Sequence, residues 1–328
     1  MTPSPLLTIE GLSVDFRTAK GPVHALREVS FSVPRGQVVG GVGESGRGKS
    51  TVVGAVMGLL SANGAITRGE LWFDGQDLRS LSPAAMNRLR GDALALVSQD
   101  PMTAHNPVLT VGQQLIDVQY RAAIRRREKR RRAAEGLARV GIPDAAQRLD
   151  DYPHQFSGGM RQRLSIAMAL LTEPALLIAD EPTTALDATL EVQIIELLQD
   201  LQRERGCAIL FISHHLGVIA ELCHWVVVMY AGTVVEQGPV RAVFHRPAHP
   251  YTQALLACDP ARLAEPTRPL PTIPGEVPDL RIPPPGCPFA PRCPRVFDPC
   301  GQGMPDPQPV ADHHRAACFR LGETGDVR

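Results

Sequence analysis

Val38-Val39-Gly40-Gly41-Val42, then Gly43-Glu44-Ser45-Gly46-Arg47-Gly48-Lys49-Ser50, then TVVGAVMGLL over residues 51–60, runs from a short apolar stretch through a glycine-rich loop into a second apolar stretch. The first stretch reads as a buried strand, and from Ser50 onward the last reads as a buried helix. Strand, loop and helix in that order are the βα unit of an α/β sheet. The loop fits G-x-x-x-x-G-K-[ST], whose glycines let successive backbone N–H groups turn inward around an anion. The helix starting near Lys49 adds the positive end of its dipole. Residues Gly43, Glu44, Ser45, Gly46, Arg47, Gly48, Lys49, Ser50 and Thr51 are therefore expected to hold a nucleoside triphosphate. Lys49 reaches the β- and γ-phosphates in this reading, and the Ser50 hydroxyl ligates Mg²⁺. A chance glycine-rich loop is the competing reading, and the flanking strand and helix argue against it.

Working outward, Leu94–Val97, Leu176–Ile178 and Ile209–Ile212 are further apolar runs bounded by polar residues, as buried parallel strands are. Residues 7–33 alternate in a strand-like way, with Gly21-Pro22 read as the turn. From Val108 to about Leu149 the text is polar and helical, an insertion in the sheet. Residues 259–310 are dense in proline, which forbids regular helix or central strand. The C-terminal stretch is expected to be irregular, ordered by packing or by its cysteines. No internal repeat is present, so a single cassette is expected. The one charge run, RRREKRRR at residues 125–132, reads either as a nucleic-acid or phospholipid patch or as a solvated helix face. Glu128 interrupts it and favours the second.

The 328 residues carry 34 Lys+Arg against 34 Asp+Glu, so no overall field is available to hold nucleic acid or an anionic membrane. No apolar run reaches the roughly 18–20 residues that span a bilayer. Met1–Leu7 has no basic segment followed by an apolar one. The expectation is a protein that is neither secreted nor membrane-spanning, and peripheral if it serves a membrane. Of the seven cysteines, Cys207, Cys223 and Cys258 are scattered and read as small apolar fillers of a reduced, cytosolic chain. Cys287, Cys293, Cys300 and Cys318 crowd into the tail.

Leu176-Leu177-Ile178-Ala179-Asp180-Glu181 is an apolar strand ending in two acids. Asp180 can hold Mg²⁺ through water, and Glu181 can take a proton from an attacking water. Taken alone, the pair could be the exposed acidic end of a strand. At Phe156-Ser157-Gly158-Gly159-Met160-Arg161-Gln162-Arg163 a Ser-Gly-Gly opens a helix and makes a second anion-binding terminus. Two such cradles on one chain suggest a composite site across a dimer.

These motifs together resemble the ABC ATPases. The resemblance implies that Ser157, Gly158, Gly159 and Met160 form the signature that closes over the partner's ATP. It implies that Gln99 touches Mg²⁺ and the transmembrane subunit, that Asp187 of Ala185-Leu186-Asp187 lies in the D-loop, and that His214 is the switch histidine at the γ-phosphate. The implied fold is α/β, an ABC-type P-loop NTPase with an N-terminal antiparallel β subdomain, a helical signature subdomain and an irregular Pro/Cys-rich C-terminal extension. The implied domains are an ATPase domain over 1–240, with a helical insertion at about 101–170, and the extension over 241–328. More narrowly, the chain resembles the D-type ATPase subunit of dipeptide/oligopeptide importers, through Gln99-Asp100-Pro101-Met102-Thr103, Asn106-Pro107, Tyr152–Arg163, His249-Pro250-Tyr251-Thr252 and the GCPFAPRCP tail. Arg47 replaces the family's usual small residue in the phosphate loop, and His215 its usual Asp after the switch histidine. Phe16 is the candidate adenine-stacking aromatic.

The tail cysteines are spaced C-x₅-C-x₆-C-x₁₇-C, which in a cytosolic chain argues for metal over disulfides. The resemblance implies a [4Fe–4S] cluster on Cys287, Cys293, Cys300 and Cys318. The runner-up is structural Zn²⁺ with His313 or His314 as substitutes, and the remaining alternative is four unligated thiols. Loss of Cys293 is expected to loosen the tail and leave nucleotide binding at Lys49 intact.

The resemblance implies ATP and Mg²⁺ as cofactors and a peripheral place on the cytoplasmic face of the inner membrane. It also implies partners: a second, F-type ABC ATPase in a heterodimer, two transmembrane permease subunits and an extracytoplasmic substrate-binding protein, with no nucleic acid. Hydrolysis would energise uptake of peptides or a related small solute such as nickel chelates, glutathione or sugars. Two rivals stand beside it: a soluble ABC ATPase acting on nucleic acid, and a catalytically silent structural subunit. The single cassette opposes the first, and intact Lys49, Asp180, Glu181 and His214 oppose the second.

Overall fold

The structure, a computed structural model, describes residues 4–44, 48–184, 186–259 and 271–321. Its strands are β1 (Leu7–Thr18), β2 (Gly21–Val33), β3 (Val38–Val42), β4 (Gly64–Phe73), β5 (Gln76–Asp77), β6 (Leu94–Val97), β7 (Leu176–Asp180), β8 (Ala208–Ile212), β9 (Trp225–Tyr230), β10 (Thr233–Pro239), β11 (Gln308–Ala311) and β12 (His314–Ala316). The chain divides into two compact units. One holds Met1–Leu6, Val33–Val38 and Ser80–Ile212; the other holds Leu7–Ser32, Val39–Arg79 and Ser213–Arg328.

In the first unit β6, β7 and β8 pair in parallel, with Leu94 opposite Leu176 and Leu176 opposite Ala208. Every residue of β7 and β8 is buried, which is why both read as unbroken apolar runs rather than alternating ones. Helices Val111–Asp117, Arg126–Arg139, Ala145–Arg148 and Gly158–Leu171 fill the interval between β6 and β7. The RRREKRRR run lies on Arg126–Arg139, which buries Ala133 and Leu137. Arg131 pairs with Glu128 and Glu135, Arg132 with Glu128, and Arg130 with Asp150. The run is a solvated helix face on which Arg130, Arg131 and Arg132 pair with Asp150, Glu128 and Glu135.

In the second unit β2-β1-β4-β5 form an antiparallel sheet, with Leu7 opposite Phe73. The turn into β2 falls at Ala19-Lys20, two residues before the Gly21-Pro22 expected from the sequence. Thr18 moves it: its hydroxyl donates to the Gly21 carbonyl at 2.6 Å and accepts from the Lys20 N–H at 3.2 Å. Pro22 then sits at the start of a strand, where a missing donor is tolerated. In the same unit β3 runs parallel to β9, and β10 joins β9 antiparallel. The helix after the loop, Lys49–Val56, is shorter than the apolar text suggested. Gly58, at φ 59°, donates to Ala55 and Leu59 donates to Gly54, a Schellman closure that leaves Leu59 53% exposed.

The tail departs from its expected irregularity at Gln308. There β11 and β12 add to β10, with Gln237 opposite Arg315 and Glu236 opposite Ala316. Proline does not prevent this because Pro309 stands on β11, the edge strand. No helix among the described residues is long and apolar enough to cross a membrane.

A buried carboxylate fastens this tail. Glu236 on β10 accepts from the N–H groups of Ala248 and His249 at 2.8 and 2.9 Å, and bonds His314 Nε2 on β12 at 2.7 Å. Burial with desolvation holds the neighbouring His249 imidazole neutral, lowered to about 4. Replacing Glu236 by Leu strands three buried donors. The expected cost is roughly 3–5 kcal/mol of stability, the usual penalty for breaking a buried pair from one side, read as a fall in denaturant midpoint. An unchanged midpoint would assign the anchoring elsewhere.

Candidate active site

The second unit carries the loop. Gly43 leaves β3 at φ 148°, and a Cβ there would lie 2.1 Å from the Met229 carbonyl oxygen on β9, so only glycine lets the chain pass. Lys49, at 4% exposure, donates from Nζ to the carbonyls of Gly43 at 2.7 Å and Glu44 at 3.0 Å. The ammonium, on the first residue of the helix, thus reaches back to the two residues that follow β3. Gly48 precedes it, and Ser50 and Thr51 follow on the first turn. Ser45, Gly46 and Arg47 lie outside the described residues. His214 is exposed just beyond β8; the N–H of its neighbour Ser213 donates to the Gly41 carbonyl on β3, and His215 stands at the N-cap position of helix Leu216–Leu222, its own N–H donating to the Ser213 hydroxyl. Phe16, half-buried on β1, lays its ring against Gly64.

The first unit brings two of the expected residues together. Asp180, buried, ends β7 opposite Ile212. Glu181 follows at φ 49°, a left-handed conformation that costs a non-glycine residue of order 1–3 kcal/mol and collects at functional sites. The turn is held by the Glu181 N–H on the Ile212 carbonyl at 2.9 Å. Its carboxylate accepts from Gln99 Nε2 at 3.1 Å and from the Thr184 hydroxyl at 3.3 Å. Gln99 is the exposed residue two beyond β6. Ser157 caps helix Gly158–Leu171, its hydroxyl accepting from Met160 N–H at 3.3 Å, with Gly158 and Gly159 in the first turn. Asp187 caps Ala188–Arg205 through Leu190 N–H at 3.0 Å, and Ala185 lies outside the described residues.

Residues 26–184 match the ABC transporter family, and residues 235–300 match the oligopeptide/dipeptide transporter C-terminal region. The chain is 46% identical over 322 residues to the dipeptide transport ATP-binding protein DppD of Escherichia coli, covering 98% of each. It is 46% identical to DppD of Bacillus subtilis, covering 96% of this chain and 94% of that one. The chain belongs to the ABC transporter ATP-binding proteins of the oligopeptide/dipeptide family. Among solved structures, it is similar to a dimeric post-hydrolysis ATP-binding cassette, MJ0796, bound to ADP and Pi, with TM-score 0.66, 27% identity and coverage of 72% of this chain and 99% of that one. It is also similar to CbiO1 from Clostridium perfringens, with TM-score 0.62, 30% identity and coverage of 74% and 91%. The fold expected from the motifs is thus the fold found. As an ABC ATPase the chain hydrolyses ATP, and ATP with Mg²⁺ suits this donor set. The nucleic-acid alternative finds no support among these relatives.

In this ABC ATPase the four tail thiols line one cavity, beside Phe289 and His249. Burial pushes Cys287 up to about 11 and raises Cys293 and Cys318, so these three thiols hold their protons more tightly unless a cation draws them off. Among the described residues no group of three or more His, Cys, Asp or Glu side chains is arranged to hold a metal ion. The histidines offered as zinc substitutes are engaged elsewhere. His314 bonds Glu236, and His313 meets the Trp225 ring edge-on at 6.3 Å.

Sequence reasoning missed Arg292. Its side chain is 4% exposed, and its Nη1 lies 3.1 and 2.9 Å from the two carboxylate oxygens of Glu44. The only signal in the text was its place beside Cys293 within GCPFAPRCP. The tail and the nucleotide loop, expected to be independent, share an ion pair.

The Ser157 cap gives a direct test of local structure. Ser157→Ala is expected to cost about 1 kcal/mol and Ser157→Gly only a few tenths, compared by urea unfolding. Equal stability of the two variants would mean the hydroxyl is not capping.

Proposed function

We propose that this chain is the subunit that binds and hydrolyses ATP to energise import of peptides or a related small solute. The observation that carries the reading is the Gln99–Glu181 hydrogen bond. It joins the strained acid after β7 to the loop after β6, so the residue suited to be a base is held by the residue suited to report on a transmembrane partner. In this reading 1–240 is the ATPase domain, with the helical insertion at about 101–170, and 241–328 is the extension. The phosphate loop from Gly43 to Thr51 takes the nucleotide, and Lys49 exchanges its loop carbonyls for phosphate oxygens. Ser50, Gln99 and Asp180 serve Mg²⁺, Glu181 accepts the proton of the attacking water, and His214 meets the γ-phosphate. Ser157–Met160 and Asp187 serve the nucleotide of a second, related F-type ATPase. Two permeases and an extracytoplasmic binding protein complete the importer, and this subunit sits on the cytoplasmic face of the inner membrane. The peptide assignment draws support from the relatives, which are dipeptide transport ATP-binding proteins. The dimer draws support from the dimeric cassette that the chain resembles.

For the tail we propose a [4Fe–4S] cluster on Cys287, Cys293, Cys300 and Cys318. Four thiols lining one cavity suit four thiolate ligands. Structural Zn²⁺ on the same thiols is the runner-up. The cluster's contribution is a cross-link; the chain's own residues supply the ligands and the Phe289 wall.

Glu181→Gln, assayed with its partner ATPase present, is expected to bind ATP and lose about 10²–10⁴-fold in turnover. Turnover near wild type would remove Glu181 as the base. Anaerobically purified protein is expected to be brown with about four irons per chain, and Cys293→Ser to be colourless. Stoichiometric zinc in colourless wild-type protein would replace the cluster with the runner-up.

A further inference from the structure

Arg292 stands in the short 3₁₀ turn Ala290–Arg292, immediately before Cys293. Its guanidinium is built into a cage. Nε donates to the Pro274 carbonyl at 2.9 Å, and Nη2 to the Ile273 carbonyl at 2.8 Å. Nη1 reaches both oxygens of Glu44 and also the Tyr230 hydroxyl at 3.1 Å. Glu44 is held a second time, its backbone N–H donating to the Tyr251 hydroxyl at 2.9 Å. Tyr230, Tyr251 and Phe289 pack ring against ring, with centroids 4.5 to 5.4 Å apart, and form the floor of this cage. All of these residues belong to one compact unit.

Glu44 is the second residue of the phosphate loop, and Lys49 donates to its carbonyl. A carboxylate at that place opposes a triphosphate, and at short range in a partly desolvated site the repulsion is not screened away. Arg292 cancels that charge from behind the loop. Its two backbone anchors fix where the cancelling charge sits, and so where the loop begins. We propose that Arg292 is a positioning residue for nucleotide binding: through Glu44, the cysteine-bearing tail sets the charge and placement of the phosphate loop and hence its affinity for ATP. This rests on the reading of residues 43–51 as the phosphate loop.

The experiment measures binding of a fluorescent non-hydrolysable ATP analogue to the full chain. It compares wild type, Lys49→Ala, Arg292→Met, Glu44→Gln and the Arg292→Met/Glu44→Gln double variant. Arg292→Met is expected to weaken binding by about 10–100-fold, because it leaves the Glu44 carboxylate uncompensated beside the phosphates. Placed on Glu44→Gln, the same change is expected to cost less than about 3-fold, since no charge remains to be cancelled. Equal losses in both backgrounds, or none in either, would overturn the proposal. Lys49→Ala separates the two ideas: if it binds like wild type, the nucleotide-site reading fails, and if it alone loses binding, only the Arg292 inference fails. Wild-type protein supplies an arm that does not depend on any variant folding. Coupling is reciprocal, so the analogue is expected to slow amide exchange across residues 287–300. Exchange there that does not respond to saturating analogue counts against the proposal.

Discussion

The close approach of two backbones at Gly43 governs what surrounds it. β3 and β9 are parallel neighbours, and the chain leaves β3 so near the Met229 carbonyl that no side chain fits between them. That exit leaves the Gly43 and Glu44 carbonyls within hydrogen-bond distance of the Lys49 ammonium, although its side chain is buried. A buried ammonium is tolerable only with such partners. The same exit presents Glu44 to Tyr251 and Arg292. Substituting Gly43 would therefore disturb strand pairing, lysine solvation and the tail contact together.

How much of this could be read in the residues depends on how local each signal is. β3 and β6 begin and end where their apolar runs do, since a fully buried strand needs no alternation to announce itself. The helix after the loop ended early because the Schellman closure at Gly58 outweighed the apolar character of Leu59-Leu60. The turn into β2 shifted because a threonine hydroxyl competes as well as a Gly-Pro pair for a tight reversal. At the site, motif spacing was enough to nominate Lys49 and Glu181, and the family resemblance nominated Gln99. It could not say that Gln99 and Glu181 touch, because that contact joins residues 82 apart in the chain. Nor could it find Arg292, which joins Glu44 across 248 residues.

The tail illustrates how a proline-rich segment can be ordered without regular structure of its own. Prolines remove donors, so the segment cannot close its own hydrogen-bond ladder. Order comes instead from buried polar groups contributed by opposite ends of the unit. Glu236 ties the start of helix Pro250–Ala257 and β12 to β10, and Arg292 ties the cysteine turn to two tail carbonyls and to the loop. Each charge is matched from several directions, which is what makes burial of an ionised group affordable. The cavity lined by the cysteines lies within this frame, so a cross-link there would stiffen residues already committed to the ATPase.

The signature helix raises a different physical question. Ser157 spends one lone pair on the Met160 N–H, yet its hydroxyl proton remains available to a further acceptor. Beside it, a Cβ added at Gly158 would meet nothing within 4 Å. Gly158 is the first residue of the helix, and neither a positive φ nor a close neighbour demands glycine there. A residue kept bare where its own chain leaves open space is suited to close approach by a surface from outside. With free N–H groups at the helix start and a hydroxyl that can still donate, that surface would carry an anion. In the proposed composite site, the first turn of this helix would receive a phosphate that another subunit holds.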